Sequence, residues 1–155
     1  MDTFRSRIAA FLFVSIALAP AAVLAQGPPA LQSADSQKTD IEAIWHILAV
    51  NQELMTYLDD VYKQFGDGYL LPGEAQKKIN LMTHEYNKLV SPVPQDAQKL
   101  YKLTVKLMSR MEHYFIFFKK IFREHPDIAA KIIQARYEVS WEMEKLRSIY
   151  GYPTY

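Results

Sequence analysis

The chain contains no cysteine in its 155 residues. Disulfides, thiolate metal sites and covalent haem attachment through a Cys-x-x-Cys-His motif are therefore excluded. The stability of the folded protein must come from burial of apolar side chains. After removal of a leader, about 130 residues remain, which is enough for one core of ordinary size.

Glycine is also scarce, with 5 residues, and the catalytic motifs that depend on it are missing. The chain has neither a Gly-rich phosphate loop nor a Gly-x-Ser-x-Gly nucleophile turn. Asp59 and Asp60 lie on a predicted helix edge and are expected to be solvated rather than to act as a catalytic pair. The sequence therefore predicts a protein that is not an enzyme.

Neither sign of charge is in excess, since 18 Lys and Arg stand against 17 Asp and Glu. A chain so close to neutrality has no general attraction for polyanions. Nucleic acid is therefore not an expected partner.

The start of the chain has the layout of an export signal. Two arginines precede an apolar run over residues 8–19, and Val23 and Ala25 offer small side chains at the −3 and −1 positions of a cleavage site. This order is typical of a cleavable secretory signal. We therefore predict a signal peptide over residues 1–25.

The alternative is a retained anchor, because residues 8–25 approach the roughly 20 apolar residues that cross a bilayer. Pro20 and the small-residue exit favour cleavage. After cleavage no transmembrane segment is expected, and the protein is predicted to be periplasmic or secreted. Residues 26–37 contain Gly-Pro-Pro and serines without periodicity, which predicts a flexible leader.

Residues 38–150 have apolar side chains three and four apart, and no segment alternates with the period of a strand. This pattern predicts four helices, the first beginning with a capping box at Thr39 and Glu42 and the third running over 95–123. Four amphipathic helices with short connections are expected to form an all-α, up-down-up-down four-helix bundle. Residues 151–155 form an aromatic C-terminal tail.

The histidines give weak evidence for a metal site. Helical spacing places His46, His84 and His113 away from the apolar faces, and His125 lies in a break. Glu42 and His46 are four residues apart and would form a surface chelate, but a third strong ligand is missing. No glutamate is followed by histidine at the spacing used in di-iron bundles. No metal site and no cofactor are predicted.

Methionine provides the one inward set of potential ligands. The four predicted inward residues are Met55, Met82, Met111 and Met143. Methionine is an ordinary filler of helical cores, but thioethers also suit Cu(I). A carrier of Cu(I), haem or a small apolar ligand in the bundle core is therefore the alternative function.

The fourth helix has a second apolar stripe. Ile133, Tyr137 and Trp141 recur every four residues, opposite the face that contains Ile132 and Val139. A helix in a bundle needs one apolar stripe, and exposed Tyr and Trp dominate binding hot spots. The stripe is either an interface or is covered by the leader, the tail or a helix edge.

The third helix has a basic arc. Its members are Lys99, Lys102, Lys106, Arg110, His113 and Lys120, with Phe117 among them. Such an arc is either a solvated face that is partly neutralised across the bundle or a landing site for an anionic partner. A lipid headgroup, a polysaccharide or an acidic protein would fit.

These observations favour a small exported binding or adaptor module that uses the aromatic and basic helix faces. They predict a protein partner or self-association, with an anionic surface ligand as a further possibility.

Overall fold

The computed structural model describes residues 29–118 and 126–151, with side chains described from Thr39 onward. Internal contacts divide the chain into two units, Met1–Thr39 and Asp40–Tyr155, and all contacts reported below lie within the second. The predicted signal peptide, Lys120, His125 and the last four residues of the tail lie outside the described residues.

The described residues are all-helical and form four helices. These are α1 (Pro29–Gly66), α2 (Pro72–Leu89), α3 (Gln98–Ile116) and α4 (Ile128–Tyr150), with a 3-10 turn at Gln95–Ala97 immediately before α3. Among residues 29–118 and 126–151 there is no strand.

The ends of the helices follow local backbone chemistry. Gly68, with φ of 79°, follows α1 and takes the left-handed conformation that glycine tolerates best. Pro72 occupies the first turn of α2, where its missing N–H costs nothing. The Glu74 side chain accepts a hydrogen bond from the Leu71 N–H at 2.9 Å. The start of α2 therefore follows from residues that are local in the sequence.

Two boundaries differ from the predicted ones. Helix α1 begins at Pro29, ten residues before the predicted start, so Thr39 and Glu42 lie inside it. Helix α3 ends at Ile116, and Phe117 leaves helical geometry at φ −96° and ψ 12°. At that end of α3, aromatic rings pack against Phe65 of α1, a contact between helices that periodicity along one helix does not reveal.

Each consecutive pair of helices is in contact. The Asn51 amide of α1 donates to the Tyr86 hydroxyl of α2 at 3.0 Å. The Tyr86 ring stacks on Tyr101 of α3 with centroids 5.9 Å apart. The Lys99 ammonium of α3 lies 2.6 Å from the Glu142 carboxylate of α4. The arrangement of the four helices is therefore bundle-like.

The core takes buried apolar side chains from all four helices. The main members are Ile44, Ile47, Leu54 and Leu58 of α1, Ala75, Ile79 and Met82 of α2, Leu100, Leu107, Met108 and Phe115 of α3, and Ala135, Val139, Met143 and Leu146 of α4. Full burial of one large apolar side chain contributes about 1.5–3 kcal/mol, so these contacts supply the main stabilisation.

One predicted core residue is exposed, and three polar side chains are unexpectedly buried. Tyr62 has the helical spacing of an inner residue of α1 but is 40% exposed, with its ring 5.6 Å from that of Tyr114. Asn51, Thr104 and Glu142 are buried. Buried polar groups need partners, and contacts from neighbouring helices provide them.

Candidate functional site

Helix α4 exposes a line of large side chains on the face opposite the core. Ile133, Tyr137 and Trp141 are 58%, 71% and 75% exposed, whereas Val139 and Met143 on the inner face are buried. Ile133, Tyr137 and Trp141 form what we term the outer stripe. Their mutual spacing is one helical turn, so they form a continuous apolar strip on the surface of the second unit.

Paired charges border the outer stripe on both sides. The Arg136 guanidinium lies 2.5 Å from the Asp59 carboxylate of α1. On the other side Lys106 of α3 lies 3.2 Å from Glu138. Because these four charges are paired within the chain, the border is polar and the apolar strip is confined between them.

The basic arc of α3 is partly neutralised by α4. Lys99 pairs with Glu142 and Lys106 with Glu138. Hydrogen bonding from Gln134 and then from Lys106 lowers the pKa of Glu138. Lys102 is exposed. The arc therefore divides into lysines held against α4 and a part that faces outward.

The end of this arc forms one wall of a cleft. The cleft, of about 360 Å³, lies between the second half of α3 and the first turn of α4. Its lining residues are Lys106, Ser109, Arg110, His113, Phe117, Asp127, Ile128 and Lys131. We term it the α3–α4 cleft. Four of these residues are basic and one is acidic.

Hydrogen bonds orient two of the basic groups in the α3–α4 cleft. The Arg110 Nη1 donates to the Lys131 carbonyl at 2.8 Å. The His113 Nδ1 lies 2.9 Å from the Ser109 carbonyl, and its ring stacks on Phe117 with centroids 6.1 Å apart. Lys131 in turn pairs with the Asp127 carboxylate. The cleft thus has an oriented guanidinium group and an oriented imidazole ring beside an aromatic ring.

The structure separates the predicted site residues into two groups. Lys106, Arg110 and Phe117 share the α3–α4 cleft, whereas Lys102 is not among its lining residues. The outer stripe belongs to another face of α4. Sequence reasoning missed Ile128 and Lys131 as residues of this cleft, because spacing along one helix does not show which of its residues lie beside a neighbouring helix.

Burial and charge act against each other at Glu142. Burial would raise the pKa of this carboxyl group, but the ion pair with Lys99 and the nearby Lys145 outweigh it, so the pKa is lowered. The side chain is 2% exposed. Glu142 is thus an ionised group in the α3–α4 contact.

The four predicted inward methionines are buried. They are Met55, Met82, Met111 and Met143. Met55 and Met143 line one further cleft of about 220 Å³ between α1 and α4, together with the Asp59–Arg136 pair. Two thioethers from different helices therefore border a space that solvent reaches.

The three histidines that the structure describes, at positions 46, 84 and 113, do not group into a metal site. His46 is half-buried rather than solvated, because its Nε2 lies 2.9 Å from the Leu89 carbonyl of α2. His84 and His113 are exposed. Within the described ranges no three or more His, Asp or Glu residues group in a way that would hold a metal ion.

Within residues 29–118 and 126–151, none of the helices combines the length and the hydropathy needed to span a bilayer. The chain matches no family model, no curated protein and no solved structure.

Proposed function

We propose that this chain is a small exported up-down-up-down four-helix bundle that acts as a non-catalytic binding or adaptor protein. Its outer stripe binds another protein, either a second copy or a different chain. The observation that carries the proposal is the exposure of Ile133, Tyr137 and Trp141 in one line, on the helix face opposite the core.

The order of contacts between helices supports the up-down-up-down part of the proposal. Lys99 near the start of α3 pairs with Glu142 near the end of α4. Arg110 near the end of α3 contacts Lys131 near the start of α4. The two helices are therefore antiparallel. The same reversed order holds for Asn51–Tyr86 and His46–Leu89 between α1 and α2, and for Trp45–Tyr150 and Asp59–Arg136 between α1 and α4.

The chemistry of the outer stripe supports binding to a protein. Isolated exposed apolar residues are common on surfaces, but a continuous apolar strip with a polar border is typical of an interaction site. Tyr and Trp bury large areas and are enriched among hot spots. The Arg136–Asp59 and Lys106–Glu138 pairs would form the polar rim.

The experiment compares truncation of the outer stripe with truncation of an exposed ring elsewhere. Tyr137→Ala and Trp141→Ala are expected to weaken self-association or recovery of the partner by about tenfold or more, since a hot spot contributes about 2 kcal/mol. Tyr69→Ala is the control, because Tyr69 is 80% exposed and lies between α1 and α2. Light scattering and affinity recovery from the native host give the two readouts.

Both stripe variants should keep the parent's free energy of unfolding within about 0.5 kcal/mol, because they remove little buried contact. A protein that stays monomeric at all concentrations and loses no partner on Trp141→Ala would contradict the proposal.

The export part has its own test. Intact mass measurement of the protein recovered from its host should give an N-terminus at Gln26 in the fraction outside the cytoplasm. Full-length protein confined to the cytoplasm would refute export while leaving the binding proposal standing.

A second candidate function is a carrier of a soft metal ion. It is favoured by Met55 and Met143 lining the same cleft between α1 and α4. Thioethers suit Cu(I), and a ligand that binds the native state must raise its melting temperature.

A further inference from the structure

We propose that the α3–α4 cleft binds a small soluble anion that carries an aromatic ring, such as an aryl phosphate or an aryl carboxylate. This inference goes beyond the proposed function and does not depend on it. It concerns a different surface from the outer stripe.

Arg110 is the residue best suited to bind the anion. The nearby lysines have carboxylate partners, Lys131 with Asp127 and Lys106 with Glu138. Arg110 is instead held by a neutral carbonyl, that of Lys131, at 2.8 Å. This bond orients the guanidinium without neutralising its charge. Among the described residues no carboxylate forms an ion pair with Arg110, although the Arg110 charge contributes to the lowered pKa of Glu138, which pairs with Lys106. The remaining guanidinium donors are therefore suited to an outside oxyanion.

The guanidinium group matches the oxygen atoms of carboxylates and phosphates, because its planar fork can donate two parallel hydrogen bonds. His113 and Ser109 line the same space and supply further polar groups. The overall charge of the lining is positive, with three Lys and Arg side chains against Asp127. An anion is therefore favoured over a cation or a neutral ligand.

The apolar part of the lining requires more than a bare anion. The Phe117 ring and the Ile128 side chain border the cleft beside the basic groups. Inorganic phosphate has no apolar surface with which to contact these side chains. An attached ring would cover them, and it would lie near the stacked His113 and Phe117 rings. The ligand class is thus an anion with an aromatic body.

The volume of the cleft limits the size of the aromatic part of the ligand. A volume of about 360 Å³ is at the small end of the range of about 300–1,000 Å³ for small-molecule sites. It suits a single ring with one anionic substituent better than a nucleotide or an extended chain. The ion pairs with Glu138 and Asp127 at the border would disfavour a large polyanion.

The experiment is a titration of the full chain, in the form its host produces, followed by calorimetry and amide chemical shifts. Phenyl phosphate and benzoate are the probes that combine an anionic group with an aromatic ring. Inorganic phosphate and benzyl alcohol each lack one of them. Both combined probes are expected to bind several-fold tighter than either single-feature compound, and their affinity should fall as salt concentration rises.

Matched variants test the assignment to Arg110. Arg110→Gln is expected to weaken phenyl phosphate binding by about tenfold or more, because charge-assisted hydrogen bonds are lost. Arg110→Lys should give an intermediate loss, since it keeps the charge but not the fork. Lys102→Gln is the control, because it removes the same charge from the same helix outside the cleft. Equal losses for Arg110→Gln and Lys102→Gln would overturn the proposal.

Vesicles separate a soluble ligand from a lipid headgroup. Phosphatidylglycerol and phosphatidylcholine vesicles are compared with free phenyl phosphate. Arg110-dependent binding of phosphatidylglycerol vesicles without binding of phenyl phosphate would overturn the soluble-ligand proposal in favour of a membrane surface. Failure of all the soluble probes would also overturn it.

Trp141→Ala should leave phenyl phosphate affinity unchanged. The cleft is therefore tested independently of the outer stripe, and a failure of one leaves the other measurable.

Discussion

Glu142 of α4 and Lys99 of α3 form an ion pair in which the carboxylate is buried and the ammonium is exposed. The Glu142 side chain is 2% exposed, and its Oε2 lies 2.6 Å from the Lys99 Nζ. Lys145 lies 3.5 Å from the other carboxylate oxygen. The ion pair joins α3 and α4 at a position where the apolar periodicity of α4 predicts only contacts between apolar side chains.

Removing Lys99 should destabilise the protein by about 2 kcal/mol. Breaking a buried pair from one side costs about 3–5 kcal/mol, and the remaining Lys145 reduces that loss. The double variant Lys99→Met with Glu142→Leu should recover most of the stability, because no uncompensated charge remains. Urea denaturation measures both. Lys102→Met on the same helix is the control, and an equal loss there would contradict the assignment.

Acid should weaken the contribution of Glu142. Its pKa is lowered in the folded protein, so the stabilisation is complete above the unfolded value of about 4.3 and is lost as pH falls through the folded value. The difference in unfolding free energy between parent and Glu142→Gln should therefore be largest above about pH 5 and shrink below about pH 4. A difference that does not change from pH 7 to pH 3 would argue against the depressed pKa.

Replacing one hydroxyl group by a methyl group should break the buried hydrogen bonds around Asn51 and lower the free energy of unfolding. The Thr104 hydroxyl lies 2.6 Å from Asn51 Oδ1 and 2.9 Å from the Leu100 carbonyl. Thr104→Val removes that donor, and we expect a loss of about 1–3 kcal/mol in unfolding free energy.

Thr56 provides the matched control for this substitution. It makes the same bond to the carbonyl four residues earlier, at 3.2 Å, but it is exposed. Thr56→Val should cost less than about 0.5 kcal/mol. Chemical denaturation of both variants gives the comparison, and equal losses would show that Asn51 is not the cause.

The soft-metal candidate predicts a ligand-dependent melting temperature. Cu(I) should raise the melting temperature of the parent and fail to do so for Met55→Leu with Met143→Leu. Each substitution preserves volume and should cost less than about 1.5 kcal/mol. Met108→Leu is the control, because its sulfur lies 3.6 Å from the Thr83 hydroxyl rather than in the α1–α4 cleft. A parent that does not respond to Cu(I) removes this candidate.

Apolar periodicity predicted the class and number of the helices because it reflects which side of each helix must leave water. Ile79, Met82 and Tyr86 of α2 and Val139 of α4 have the helical spacing of inner residues and are buried. Glycine and proline marked the break between α1 and α2 because their backbone preferences are local. These features depend on short stretches of chain, so one sequence is enough to read them.

Local sequence patterns gave wrong predictions where the structure depends on residues further along the chain or on neighbouring helices. The capping box at Thr39 and Glu42 is consistent with a helix start, but the helix continues through it from Pro29. Tyr62 has the spacing of an inner residue, yet it lies at the edge against Tyr114. The width of the buried face depends on how many neighbouring helices cover it, and spacing along one helix does not contain that information.

The sequence by itself determined that α4 has two apolar faces and that α3 has a basic arc, because both follow from residue type and a repeat of 3.6. Only the tertiary structure decided which charges are neutralised and where a concave site lies. Lys99 and Lys106 meet carboxylates of α4, whereas Arg110 meets a carbonyl. Electrostatic pairing depends on distances of a few ångströms between helices, and those distances arise only when the helices pack.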